Sequence, residues 1–498
     1  MFCLYLLSPK PNSPVSNLIF QLCSFSGDGV YKHCDVTAKI EEKLGGRRLF
    51  FLWDPMHKAA LADVELRSGK KPHSKEFGWL VEMTTVIGKA ADLVAWGKGW
   101  KTFFDICQEL QENPDEVFKM KRPARFSETK HADHAHDVYD KARNDFKPFI
   151  IVCEEAKEEG RQGSSDQKKR AAKAEEVQGK MFNWMFALSL SMVTDLYKVY
   201  RSMSLLLQTI DMLPQDKHDG FKGFLSKLLS MAQHLKWESC SCAALAVTDK
   251  ESRGVLDKEC FWPRLHHDIR VAEELGTYQG VSMGMVREEA SRSRAGARLN
   301  MEWLDVDMKA VVRKVEARAV ALIEFLEPRL REKVYSASDV ANIENCRRLL
   351  DLKSQVQKVS LHGYSSISSL QFKTFLEAAV HFEPELLERL DEEDLRVQFR
   401  KFNRILEEEI PVAAELDSHA IVKLLLDPEK GLFKGIEGVV SILANATICL
   451  GGVESVCESM VSVMEAHTTS VTLSYKLNIL DFHLAKDMHK FSFMALNS

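Results

Sequence analysis

The 498-residue sequence has few of the features that disulfide-stabilised, membrane-spanning or nucleotide-dependent proteins share. Its 11 cysteines are scattered and odd in number, and no CxxC pair occurs, which argues against a disulfide scaffold and favours reduced thiols. No stretch provides the roughly 20 uncharged apolar residues of a membrane helix, so a soluble intracellular protein without a membrane partner is expected. No P-loop and no GxGxxG motif occurs, so no nucleotide cofactor is predicted.

Excess positive charge is also missing. The chain has 67 basic and 72 acidic residues, for a formal net charge of −5, which gives no overall electrostatic attraction to nucleic acid. Apolar residues make up 45% of the sequence and charged residues 28%, as in an ordinary globular protein. Any contact with DNA would therefore depend on a local basic patch.

Strand-like segments are confined to the first part of the chain. Residues 18–23 and 48–53 are short runs of aliphatic and aromatic residues bounded by turn formers, and a helix is predicted over residues 36–44 between them. This order of strand, helix and strand is typical of an α/β fragment.

From Phe77 onward the sequence predicts helices, which suits its low proline content of 14. One helix is predicted from residue 307 to Pro328, which is expected to end it. Its apolar positions recur every three or four residues: Val311, Val315, Ala319, Leu322 and Leu326. Ser336, three residues before Asp339, is predicted to cap the next helix, and another helix is predicted over residues 394–409.

Residues 154–176 form a charged run punctuated by glycine and serine, which predicts a solvated linker between helical blocks. Within it, Lys168, Lys169 and Arg170 form a short basic cluster that could contact phosphates or an import receptor. Glutamates flank the cluster on both sides, and a merely solvated surface is the alternative interpretation.

No zinc site is predicted. Cys240 and Cys242 come nearest to a ligand pair, but their spacing differs from that of a zinc knuckle. The sequence Leu-His-His-Asp at 265–268 follows Pro263, so these residues are predicted to cap a helix rather than to bind a metal ion.

Acidic residues and a histidine follow the predicted strands. Asp28 lies between two glycines after the first strand, and Asp54 and His57 follow the second. A sheet would bring such residues together at the carboxyl ends of its strands, where carboxylate and imidazole groups suit a divalent metal ion. The alternative is that Asp28 only occupies a tight turn.

These positions resemble the transposase core of the hAT superfamily. In that family an Asp lies at a strand end, and about 25 residues later a Cys-x-x-His motif leads into a helix. Here Asp28 matches the Asp. Asp54-Pro-Met-His57 stands at the position of the motif, with Asp in place of Cys. Arg125-Phe126 is similar to the family's Thr-Arg-Phe element. Glu458, with Ser462 and Met464 after it, is similar to the C-terminal helix that carries the family's last catalytic carboxylate, and Glu454 is the alternative.

The resemblance implies a mixed α/β fold that is predominantly helical, in which a large all-helical insertion interrupts a partial RNase H-like sheet. It assigns residues 17–120 to the N-terminal part of the core, 121–434 to the insertion and 435–480 to the C-terminal return helix.

For function, the resemblance implies a transposase-derived protein in the nucleus, with Asp28 and Glu458 as catalytic residues. Asp28, Asp54 and Glu458 would hold Mg²⁺, and His57 and Lys58, together with the basic cluster, would contact DNA. Strand transfer of this type needs three carboxylates around two metal ions. No Asp or Glu occurs in residues 1–27, where the first is expected, so Mg²⁺ and catalysis are expected only if the site is intact, and a truncated or degenerate enzyme is expected. A non-catalytic helical interaction scaffold is the alternative, and self-association stays open.

Overall fold

The computed structural model of the chain describes most of its central part. The described residues are 24–27, 50–53, 55–67, 76–95, 97–111, 123, 126, 132–209, 212–240, 260–283, 307–382, 386–410, 416–425, 427 and 429–450. The segments predicted as a strand at 18–23 and as a helix at 36–44 lie outside these residues.

The described part of the chain is predominantly helical, which confirms the coarser part of the predicted fold class. Its α-helices, in chain order, are α1 (Pro55–Arg67), α2 (Gly78–Leu93), α3 (Gly97–Gln111), α4 (Ala132–Asn144), α5 (Phe146–Arg161), α6 (Ser165–Met181), α7 (Trp184–Gln208), α8 (Pro214–Gln233), α9 (Pro263–Leu275), α10 (Met308–Lys333), α11 (Ala337–Leu350), α12 (Leu352–His362), α13 (Ser369–Phe382), α14 (Leu386–Arg389), α15 (Glu392–Glu408), α16 (Ser418–Leu425) and α17 (Glu437–Leu450). None of these helices combines the length and the apolar character needed to cross a membrane.

Strands are few among the described residues. β1 (Ser24–Gly27) pairs in parallel with β2 (Phe50–Trp53), and β3 (Thr277–Tyr278) forms a small antiparallel hairpin with β4 (Val281–Ser282). Gln279 and Gly280 both have positive φ, at 48° and 73°, as a tight two-residue hairpin turn requires. These are two separate two-stranded sheets, so a larger RNase H-like sheet stays a prediction.

The chain divides into two compact units. Unit A comprises Met1–His57, Leu206–Phe221 and Tyr335–Ser498, and unit B comprises Lys58–Leu205 and Lys222–Val334. The boundaries predicted near residues 120 and 434 do not coincide with this division and stay a prediction.

Unit A has a core of aromatic and aliphatic side chains from α11 to α17. Phe372 and Phe375 of α13 pack against Phe399 of α15, with ring centroids 5.6 and 4.8 Å apart. The predicted cap at Ser336 is confirmed, because its hydroxyl accepts from the Asp339 N–H at 3.2 Å and the Asp339 carboxylate accepts in return from the Ser336 N–H at 2.8 Å. Helix α17 lies against strand β1, so a late helix returns to an early strand.

Unit B contains the predicted stripe of α10, whose five apolar residues are all buried. The prediction that Pro328 ends this helix is wrong, since α10 continues to Lys333. Leu330 and Val334, beyond the proline, are completely buried. A proline inside a helix removes one backbone hydrogen bond and clashes with the preceding turn, at a cost of about 3 kcal/mol. Burial of these two apolar side chains offsets that cost.

The charged run at 154–176 is not a linker, which corrects the prediction made from its composition. It forms most of a hairpin in which α5 and α6 pack along each other. Ser164 caps α6 by accepting from the Gln167 N–H at 3.4 Å, and the Gln167 side chain accepts from the Ser164 N–H at 2.7 Å. A narrow set of small and apolar residues is buried along the inner face, while the charged residues lie outside. Because few residues form this buried face, the composition of the segment is dominated by its charged residues and does not indicate a helix that packs.

Gly160 sets how closely the two helices of the hairpin approach. A Cβ atom at this position would lie 2.3 Å from the Cβ of Ala171, far closer than van der Waals contact. Both Cβ atoms are bonded directly to the backbone, so side-chain rotation cannot relieve the clash. The glycine that punctuates the sequence is therefore a packing residue in a helix rather than a turn former.

We expect Gly160→Ala to lower the free energy of unfolding of unit B by about 1–3 kcal/mol, because the methyl group overpacks the hairpin. Gly88 of α2 is the matched control: it is also helical, in the same unit, and nothing lies within 4 Å of its added Cβ. Gly88→Ala should stabilise the protein by about 0.5–1 kcal/mol through helix propensity alone. Urea denaturation followed by circular dichroism measures both, and equal effects of the two changes would contradict the packing role of Gly160.

Candidate functional site

The parallel pair β1–β2 fixes where the predicted acidic residues attach to the fold. Ser24 stands opposite Phe50 and Gly27 opposite Trp53, so the two strands end level with each other. Asp28 and Asp54 are the next residues after these two partners in the sequence, and both lie outside the described residues. Neighbouring strands lie about 4.8 Å apart, so the backbone positions of Gly27 and Trp53, which precede Asp28 and Asp54, are separated by about that distance.

Helix α1 begins directly after this strand pair. Pro55 is its first residue, a position that suits proline because the N–H of that position has no partner within the helix. His57 is half-buried in the first turn of α1. Lys58 is buried, and its ammonium group donates to the Val334 carbonyl at 3.1 Å, which does not fit the predicted contact with a phosphate.

The predicted basic cluster lies on the surface of the hairpin, at the start of α6. Lys168 and Lys169 are exposed, and Arg170 forms an ion pair with Glu159 of α5 at 3.3 Å. Further ion pairs cross this surface, such as that of Lys173 with Asp92 at 2.8 Å. Much of the positive charge is therefore neutralised within the chain, and the two exposed lysines are the part that a phosphate could reach.

The late carboxylates lie outside the described residues. Helix α17, which lies against β1, ends at Leu450, and Glu454 and Glu458 follow four and eight positions later in the sequence. The structure therefore brings α17 beside β1 and leaves the places of Asp28, Asp54 and Glu458 as predictions. Arg125 lies outside the described residues as well, whereas the ring of Phe126 packs at a tilt against that of Tyr139, with ring centroids 4.8 Å apart.

A buried polar network in unit B was not predicted from the sequence. The Arg143 guanidinium of α4 donates two hydrogen bonds to the Asp268 carboxylate of α9, both at 2.8 Å, and both residues are almost fully buried. Ser191 of α7 donates to the same carboxylate at 2.5 Å and lies 2.9 Å from the Tyr278 hydroxyl. Burial, reinforced by the negative charge of Asp268, holds the pKa of Tyr278 far above its usual range, so this hydroxyl stays protonated.

A second buried network has the same character. The Asp63 carboxylate of α1 accepts from the Arg67 guanidinium Nε at 2.9 Å and from the Tyr197 hydroxyl of α7. Burial, followed by the charge of Asp63, raises the pKa of Tyr197 well above its usual value. Every charged group in both networks is paired and shielded from water, so the networks fix helix positions rather than expose reactive groups.

The structure also brings Cys240, Cys260 and His266 together, a group that sequence reasoning did not combine. The prediction that residues 265–268 cap a helix is wrong, since these residues lie inside the first turns of α9, which begins at Pro263 and whose N-cap is Trp262. Sequence reasoning missed the group because Cys240 lies 20 positions before Cys260 and 26 before His266. No known ligand-spacing motif joins residues in this pattern.

No family model, curated protein or solved structure matches the chain in comparisons with known proteins.

We expect Asp268→Ala to lower the free energy of unfolding of unit B by about 3–5 kcal/mol, because it leaves the Arg143 guanidinium buried without a counter-charge. Arg143→Met combined with Asp268→Leu should recover most of this loss, since Ser191 and Tyr278 still hydrogen-bond to each other. Urea denaturation followed by circular dichroism measures the difference.

The control for this pair is Asp166→Ala. Asp166 lies 3.8 Å from Lys169, and their side chains are 94% and 79% exposed, so the change should stay within about 0.5 kcal/mol. A double variant no more stable than Asp268→Ala would show that the unpaired charge is not the cause of the loss.

Proposed function

We propose that the chain is a transposase-derived protein of the hAT type that binds a divalent metal ion at the carboxyl edge of the β1–β2 pair and has lost DNA strand transfer. The observation that carries the proposal is the register of the two parallel strands. They end together at Gly27 and Trp53, directly before Asp28 and Asp54. Ligands in sheets of this kind bind beyond the carboxyl ends of the strands.

The chemistry of these residues suits Mg²⁺ or Mn²⁺. Two carboxylates that continue from adjacent strand ends can share one hard cation, which prefers oxygen ligands and keeps several water molecules. His57, in the first turn of α1, would supply an imidazole near the same edge. A turn that merely contained an aspartate would not need a second carboxylate at the neighbouring strand end.

The return of α17 to β1 supports the same proposal. In an RNase H-like core with a helical insertion, the chain leaves the sheet early and comes back to it late. Here α17 lies against β1 although residues 28–436 separate them in the sequence, and Glu458 follows that helix. A Glu458 carboxylate would then complete a site that begins with Asp28.

Strand transfer of this type needs three carboxylates around two metal ions. Asp28 and Glu458 match two of the family's catalytic carboxylates, whereas Asp54 stands where the family carries a Cys. Residual metal binding and residual affinity for nucleic acid are therefore the proposed activities, with Lys168 and Lys169 as the exposed positive charges that would contact phosphates.

A non-catalytic helical scaffold is the second candidate. It is favoured by an open groove on unit A that α13, α14 and α15 line together. Leu370 is 69% exposed and Leu387 44% exposed at this groove, so both contribute apolar surface to it. Such a protein would need neither metal ion nor DNA.

Titration of Mn²⁺ into the full chain, followed by electron paramagnetic resonance of the free ion, tests the metal site. Asp28→Asn and Asp54→Asn should each weaken binding by about tenfold or more, because each removes one anionic ligand at nearly constant shape. Asp166→Asn, on an exposed helix surface, is the matched control and should leave binding unchanged. Equal Mn²⁺ affinity in all four proteins would refute the strand-edge site and favour the scaffold.

DNA binding is tested separately, by fluorescence anisotropy with a labelled duplex over a range of salt concentrations. The affinity should fall steeply with salt, and Lys168→Ala with Lys169→Ala should reduce the slope of log K against log salt by about 2, as two phosphate contacts are lost. With Mg²⁺ or Mn²⁺ and a DNA hairpin, no nicking is expected; nicks that disappear in Asp28→Ala would instead establish an active enzyme.

A further inference from the structure

Two cysteines and a histidine meet in unit B, between helices α8 and α9. After α8, a short 3-10 turn (Trp237–Ser239) leads to Cys240, whose N–H donates to the carbonyl of Trp237 at 3.0 Å. Cys260 lies just before α9, and His266 lies in the first turns of that helix. Local backbone structure therefore presents each of the three side chains from a defined position.

The separations of the donor atoms are those of a metal site. The Sγ atoms of Cys240 and Cys260 are 3.6 Å apart, the Cys260 Sγ lies 3.2 Å from the His266 Nδ1, and all three atoms lie within 4.8 Å of one another. A tetrahedral Zn²⁺ ion, bonded at about 2.3 Å to sulfur and about 2.0 Å to nitrogen, holds such donors roughly 3.5–3.8 Å apart. Small side-chain movements would bring the three atoms to these distances.

The imidazole of His266 is held in the form that a metal ion requires. The ring is 2% exposed, and its Nε2 lies 3.1 Å from the carbonyl oxygen of Leu235, which can only accept. Nε2 therefore carries the proton, and the lone pair of Nδ1 faces the sulfur of Cys260. A histidine ligand that donates its other N–H to a backbone carbonyl is the usual arrangement at metal sites.

The sulfur of Cys260 is likewise held in place by the backbone. The N–H of Trp262 donates to it at 3.4 Å, and helix α9 begins at the following residue, Pro263. Trp262 is itself fully buried, and its indole N–H donates to the carbonyl of Met231 in α8 at 2.8 Å. This anchor fixes the backbone next to Cys260 against α8.

Two simpler explanations account for only part of the cluster. A disulfide between Cys240 and Cys260 needs a sulfur separation of about 2.05 Å and gives His266 no part. A thiol–imidazole hydrogen bond explains the contact of Cys260 with His266, and the contact of Cys240 with Cys260 is then a separate, weak hydrogen bond from one thiol to the other sulfur, at 3.6 Å. A metal ion uses all three donors.

We propose that Cys240, Cys260 and His266 bind one Zn²⁺ ion that ties the end of helix α8 to the start of helix α9. Two thiolates and an imidazole bind Zn²⁺ in preference to Mg²⁺ or Ca²⁺, which favour oxygen ligands. The half-buried cysteines leave an entry path from solvent, and the fourth coordination position is left to water or a further donor. This site does not depend on the metal site proposed at the strand edge.

Metal analysis of the full chain, produced in medium containing zinc, tests the proposal directly. About one zinc ion per chain is expected in the wild type, and Cys260→Ala and His266→Ala should each lose most of it. His267→Ala and Cys107→Ala are the matched controls, one the neighbouring histidine and the other a buried cysteine of the same unit, and both should keep the zinc.

Cobalt spectroscopy keeps the test decisive if the alanine variants fold poorly. Chelated, reduced wild-type protein should bind Co²⁺ with a thiolate-to-cobalt charge-transfer band and intense tetrahedral bands in the visible. His266→Cys should keep the ion and strengthen the charge-transfer band by about half, because three thiolates replace two. Co²⁺ binding without a thiolate band, zinc content unchanged in the variants, or a Cys240–Cys260 disulfide in the isolated protein would each overturn the proposal.

Discussion

The fold of unit B depends on satisfying the polar groups around the buried first turns of helix α9. The N–H groups of a first turn have no partner within their helix, and leaving them unpaired away from water is costly. Asp195 of α7 solves this by accepting from the N–H groups of Arg264 and Leu265 at 2.9 and 3.0 Å. Burial raises the pKa of the Asp195 carboxyl to about 6, against the opposing effect of the Arg264 charge, so it is still ionised at neutral pH. Asp268, one turn later, is held by Arg143 of α4, and one short helix thereby fixes the places of two others.

Elements whose cause is local could be predicted from the sequence, and elements whose cause is tertiary could not. The stripe on α10 and the cap at Ser336 depend on residues within four positions of each other, and both are confirmed. Pro328 fails as a helix end because distant packing of the residues beyond it outweighs a local penalty. The run at 154–176 fails as a linker because Gly160 acts through its contact with the facing helix, which composition does not reveal.

The candidate sites divide in the same way. The end of β2 follows from the apolar run at residues 48–53, so the strand end that Asp54 continues from could be placed from the sequence. Strand β1, at residues 24–27, was not predicted, because the apolar run before it ends at residue 23. The pair of Arg143 and Asp268 is separated by 125 positions, and Cys240 and Cys260 by 20. No periodicity or motif encodes such distances, because the helices between the partners decide which of them meet. Histidine at 266 looked like an ordinary helix-start residue for this reason.

The two proposed metal sites differ in chemistry, and this difference separates their roles. Carboxylate oxygens at the strand edge suit a hard ion that keeps several water molecules and can bind a phosphate, whereas two thiolates and an imidazole suit a structural zinc ion. An ion present at 100 times its dissociation constant stabilises the folded state by about 2.7 kcal/mol, similar to the cost of breaking one buried ion pair. Zinc between α8 and α9 would therefore contribute about as much to the order of α9 as the pairing of Asp268 with Arg143. A zinc ion at the start of α9 would act together with the buried carboxylates in stabilising unit B, and the strand edge of unit A would remain the proposed site of function.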